Sequence, residues 1–96
     1  DLGLGYAFNA FSAALLIRML AQQCDLEPDE LVWSAGDAHV YLNHEHLVAE
    51  QLTRTPRGQP KLHILRKPAS IFDYRIEDFE VVDYDPHPHI AAPVAV

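Results

Sequence analysis

Asp37, His39, Tyr41 and Asn43 fall on alternate positions after Gly36, with Ala38, Val40 and Leu42 between them. In an extended chain, alternate residues share a face. The spacing therefore predicts a row of hydrogen-bonding groups on one face and an apolar face turned to a core. Asn9 brings an amide, which pairs one donor group with one acceptor; as a plain structural residue it would cap a helix. Cys24 is the sole cysteine. It excludes an internal disulfide and suits a reducing compartment. Lying after Gln22-Gln23 without a Pro-Cys-His context, it reads as an inert buried thiol. The histidines, His39, His44, His46, His63, His87 and His89, form no HExxH and have no cysteine pair beside them, so no metal is expected. Arg54, Arg57, Arg66 and Arg75 have the chemistry to hold phosphate, or form a solvated surface.

These groups need elements to position them. Phe8 to Cys24 is rich in helix formers and holds no breaker before Pro28. Asn9 or Ser12 is the expected cap. Its apolar residues lie nearly all round, which predicts burial on most sides. Glu30 to Asn43 reads as extended chain interrupted at Gly36, where a bulge or close backbone approach fits. Asn43 is placed to cap a short helix from His44 to about Arg54. Thr55 to Pro60 is a loop, Lys61 to Arg66 a short strand, Ser70 to Asp73 one capped turn, and Ile76 to Val82 another strand. Leu62 and Ile64 share one strand face; Phe79 and Val81 share another. Asp85-Pro86-His87-Pro88-His89 excludes regular structure.

Ninety-six residues make one small domain with a modest core. The formal net charge of −7 argues against a nucleic-acid face and against docking on an anionic membrane. Phe8 to Ala21, the most apolar stretch, is interrupted by Ser12 and Arg18 and falls short of the about 20 residues that span a bilayer. A cytoplasmic protein is expected. Asp1 stands directly against structured sequence, and with an apolar helix and little to cover it we expect a piece of something longer.

Asp37-Ala38-His39-Val40-Tyr41-Leu42-Asn43-His44, preceded by Gly36, resembles the Gly-Asp-x-His-x-Tyr-x-Asn-His signature of thymidylate synthases. Phe8-Asn9 and the apolar helix ending Ala21-Gln22-Gln23-Cys24 resemble the central helix of that family. Arg66-Lys67-Pro68, Ser70-Ile71-Phe72-Asp73-Tyr74, Glu77-Asp78-Phe79 and Tyr84-Asp85-Pro86-His87-Pro88 are similar to its closing segments, and Ala92-Pro93-Val94-Ala95-Val96 to its tail. The likeness runs over residues 1–96 and implies the C-terminal portion of such a domain, without the half that bears the nucleophile.

The resemblance implies an α/β (α+β) fold on a mixed twisted sheet, and a homodimer. It implies methylation of dUMP to dTMP with 5,10-methylenetetrahydrofolate as one-carbon donor and reductant, through a cysteine thiolate. It makes Asn9 the reader of the pyrimidine, matching uracil N3–H and O4 together, and gives His39 and Tyr41 the deoxyribose 3′-hydroxyl. Asp1 would lie beside the nucleotide and contact the folate, Leu4 and Gly5 would form the folate-facing turn, and Val94, Ala95 and Val96 would close over it. The expected catalytic set is empty within these residues. Ala7, Ala35 and His89 depart from the family pattern without removing a ligand. Two other readings stand beside this one: a non-catalytic dimerising or nucleotide-binding module, and a related deoxypyrimidylate hydroxymethylase, whose cytosine version Asn9 argues against.

Overall fold

Helix formers dominate the first quarter of the chain, and α1 runs Gly5–Gln23. The computed structural model describes residues 1–94. Over these the chain has two helices and one two-stranded antiparallel sheet, an α+β arrangement.

α1 starts earlier than the expected Phe8, and Asp1 is the reason. Its carboxylate accepts hydrogen bonds from the backbone N–H of Gly3 at 2.8 Å, Gly5 at 3.2 Å and, at a longer 3.4 Å, Leu4. These are donors that a helix start leaves open. Asn9 and Ser12 therefore lie inside the helix and cap nothing. At the far end the backbone turns through Asp25, which takes a positive φ of 56°. Gln23 Nε2 donates to the Pro68 carbonyl at 2.9 Å, and Tyr74 Oη bonds to Gln22 Oε1. Two glutamines thus moor the end of α1 to the 68–74 loop. The expected burial of α1 is not met among the described residues. Ala21 alone of its side chains is buried, while Phe8 is 77% and Phe11 55% exposed.

The strand expected over Glu30 to Asn43 does not form; the segment is irregular and bends at residues 36–37. Leu2 N–H donates to the His39 carbonyl at 2.8 Å, but no ladder follows. A strand exists through pairing, and no neighbouring strand reaches this segment among the described residues. Its apolar side is left uncovered as well, with Leu42 86% exposed. Asn43 caps no helix. A 3-10 turn, Leu42–His44, leads instead into α2, Glu45–Thr53, with no side-chain cap.

β1 (Lys61–Ile64) pairs antiparallel with β2 (Phe79–Val82), Lys61 opposite Val82 and Ile64 opposite Phe79. Leu62 and Ile64 are half-buried and stand opposite Val81 and Phe79; the alternation predicts which residues share a face in each strand, and the register adds which strand they meet. Both strands are shorter than expected. Residues 76–78 form a 3-10 turn, and Arg66 leaves the ladder. Asp78 accounts for both changes. Its buried carboxylate accepts from Arg66 Nε at 2.8 Å, Arg66 Nη2 at 2.6 Å and the Arg75 backbone N–H at 2.9 Å. Ser70 caps its turn as expected, accepting from Phe72 N–H at 3.2 Å.

The Arg66 hydrogen bonds, reinforced by the Arg75 N–H, hold the Asp78 carboxyl below its usual range. A depressed carboxylate pKa contributes stability above the unfolded value, lost as pH falls through the folded one. Asp78→Asn should therefore lower the melting temperature of the full-length protein at neutral pH. The gap to wild type should narrow as the solution is acidified through the carboxylate range. Parallel thermal melts across that range check both; a gap that stays constant with pH would contradict the assignment.

Candidate functional site

Asp1, His39, Tyr41 and residues 91–93 converge although they come from distant parts of the chain. The Leu2–His39 backbone bond brings the 37–44 segment against the Asp1 turn. His39 is half-buried, with Nδ1 2.9 Å from the Asp37 carbonyl. Its ring meets Tyr41 edge-on, centroids 5.0 Å apart at 88°, and Tyr41 meets His44 at 5.6 Å and 80°. His39 and Tyr41 are thus neighbours, as the two-residue spacing predicts, but a bent segment rather than a sheet brings them together. Tyr41 is 41% exposed, so its ring is open to solvent. Imidazole and phenol together offer an N–H and an O–H to one oxygen of a ligand.

The tail reaches this cluster through two histidines. His44 Nε2 lies 2.6 Å from the Pro93 oxygen, and His46 Nε2 lies 3.1 Å from the Ala91 oxygen. Val94 is 79% exposed; Ala95 and Val96 lie outside the described residues. Leu4 and Gly5 are half-buried, at the N-terminal end of α1. Asn9 is exposed one turn further on, and among the described residues no hydrogen bond joins it to His39 or Tyr41. A cleft of about 800 Å³ opens between α1, α2 and the 84–90 segment, lined by Leu2, Leu4, Phe8, Val40, Leu52 and Ile90 among others. It takes in Leu4 but not Asn9, His39 or Tyr41, and most of its wall is apolar.

One expectation needs correction here. Cys24 is exposed, not buried; α1 ends just before it. Three of the four arginines considered for phosphate make ion pairs: Arg66 is bound to Asp78, Arg54 Nη2 to Glu50 at 2.7 Å and Arg57 Nη1 to Asp85 at 2.9 Å. Among the described residues no three His, Cys, Asp or Glu side chains stand close enough to share a metal ion. No described helix is long and apolar enough to cross a membrane.

A family model described as thymidylate synthase matches residues 1–96. The chain belongs to the thymidylate synthase family. Its similarity to proteins named thymidylate synthase is high: 65% identity with one from Rhizorhabdus wittichii, and 64% with those from Sphingopyxis alaskensis and Novosphingobium aromaticivorans. Each match covers the whole of this chain and 31% of the relative. The chain therefore spans under a third of the length of these thymidylate synthases.

Sequence reasoning passed over two residues of this part of the family domain. His44 was given no role of its own beyond closing the family motif and starting a helix, yet it is the most deeply buried polar residue described. Gly3 drew no attention, yet a Cβ there would stand 2.9 Å from His44 Nδ1. One signal was available: His44 closes the motif that contains His39 and Tyr41.

Proposed function

We propose that this chain is the C-terminal portion of a thymidylate synthase that methylates dUMP to dTMP with 5,10-methylenetetrahydrofolate. The observation that carries the reading is the family match over residues 1–96, which includes the adjoining His39 and Tyr41. In the complete domain, built on a mixed twisted sheet and packed sheet to sheet in a cytoplasmic homodimer, Asn9 reads the uracil edge. His39 and Tyr41 hold the 3′-hydroxyl. Asp1 stands between nucleotide and folate, Leu4 and Gly5 form the folate-facing turn, and Val94 and Ala95 close over the folate. The nucleophile belongs to the part of the domain outside these residues.

What these side chains do is bind and orient. The Asn9 amide is open to a ligand on the exposed side of α1. The Asp1 carboxylate is occupied by the N–H groups of Gly3, Leu4 and Gly5, which fix its direction. An oriented carboxylate loses little freedom when a ligand N–H reaches it.

The test is formation of dTMP by the full-length protein from dUMP and 5,10-methylenetetrahydrofolate; no dTMP refutes the reading. In the same assay Tyr41→Phe removes one hydroxyl donor. It should raise the KM for dUMP about tenfold. It should also narrow the preference for dUMP over its 3′-deoxy analogue, since the lost bond is the one that the analogue cannot make. An unchanged preference would move the sugar contact elsewhere.

A further inference from the structure

His44 has 0% of its surface exposed, alone in this among the described side chains. Its Nε2 faces the Pro93 oxygen at 2.6 Å. A carbonyl only accepts, so Nε2 carries the proton and donates. Nδ1 has no hydrogen-bond partner and looks towards Asp1 Oδ1 at 3.9 Å. An unpartnered buried ring nitrogen costs free energy, so packing must hold the ring where it is. Gly3 supplies that packing. A Cβ at Gly3 would lie 2.9 Å from Nδ1 and 3.4 Å from the ring Cγ, so only a glycine backbone closes over the imidazole this tightly. Tyr41 meets the ring edge-on. One side chain therefore touches the Asp1 turn, the 39–41 pair and the tail.

We propose that His44 is a positioning residue that holds the tail in register with the Asp1 turn and so sets the folate-side wall of the site. The functional consequence rests on the thymidylate synthase reading above; the mechanical link does not. His46, bonded to Ala91 two residues before Pro93, secures the same stretch from the exposed side. Neither histidine touches a reacting atom in this role.

The experiment uses the full-length protein and three variants. In His44→Leu the ring volume is roughly kept and the donor lost. In His44→Gln the amide nitrogen reaches close to the Nε2 position and still donates. Gly3→Ala keeps the histidine but forces its ring off its seat without altering a tail residue. Backbone ¹⁵N relaxation at Ala91 and Ala92 reads the link directly. Order parameters near about 0.85 in wild type and His44→Gln should fall below about 0.6 in His44→Leu and Gly3→Ala. With substrates, His44→Leu should raise the KM for 5,10-methylenetetrahydrofolate about tenfold while the KM for dUMP stays within about twofold. Recovery in His44→Gln completes the expected pattern. A tail equally ordered in all four proteins overturns the proposal, and so do equal rises in both KM values. Should His44→Leu fail to fold, Gly3→Ala and His44→Gln decide the question by the same readouts. If wild type forms no dTMP, the enzymatic reading fails while the order parameters still judge the link.

Discussion

Purified by itself, the 96-residue chain should form no dTMP, however much dUMP and 5,10-methylenetetrahydrofolate are supplied. Attack on the pyrimidine ring requires a thiolate, and the chain has one thiol, Cys24. Cys24 follows the last residue of α1, and Asn9 lies near the first turn. At 1.5 Å of rise per residue the two are roughly 22 Å apart along the helix axis. A nucleotide read by Asn9 is thus out of reach of the only thiol. Adding the remaining part of the domain in trans should restore turnover if the two pieces assemble. Radiochemical or spectrophotometric detection of dTMP from the chain alone would sink this claim.

The same chain should also be a poor soluble monomer. Phe8, Phe11, Leu16 and Leu20 stand on α1 at 46% exposure or more. Apolar patches of this kind mark surfaces that other protein covers.

How well the sequence predicted each element tracks how local its causes are. α1, α2, the Ser70 turn and the two short strands rest on propensity, capping and alternation over short distances, and all of them form; that β1 pairs with β2 comes from the structure alone. The 30–43 segment has equally good alternation and does not form a strand. Alternation says which side faces a sheet; it cannot supply the neighbouring strand that accepts the hydrogen bonds. The start of α1 was misread for a different reason. Asn9 and Ser12 are good caps by type, but Asp1 satisfies the open N–H groups first, from outside the apolar run. The contacts of Asp78 and His44 could not be read because their partners, Arg66 and Pro93, lie 12 and 49 residues away. At the candidate site, the adjacency of His39 and Tyr41 was readable from spacing. Their meeting with Asp1 and the tail was not, since it depends on the way a bent loop packs.

Asn9→Asp in the full-length protein should lower kcat/KM for dUMP by about a thousandfold. The asparagine amide carries both a donor and an acceptor, the complement of uracil O4 and N3–H. Aspartate keeps the acceptor and replaces the donor with a second, charged oxygen. That oxygen would face uracil O4, so two acceptors meet and neither has water to turn to once the site closes. The loss should exceed that of Asn9→Ala, in which the gap can take a water. Cytosine presents an amino group where uracil presents O4, and an amine donates to a carboxylate. The variant should therefore bind dCMP better than wild type does, measured by competition against dUMP. Asn9 sits inside α1, on its exposed side, with no capping role. The substitution should then leave the helix start, held by Asp1, intact, and a normal melting temperature would separate lost recognition from lost folding. Retention of dUMP turnover to within about tenfold, with no gain for dCMP, would take the pyrimidine edge away from Asn9.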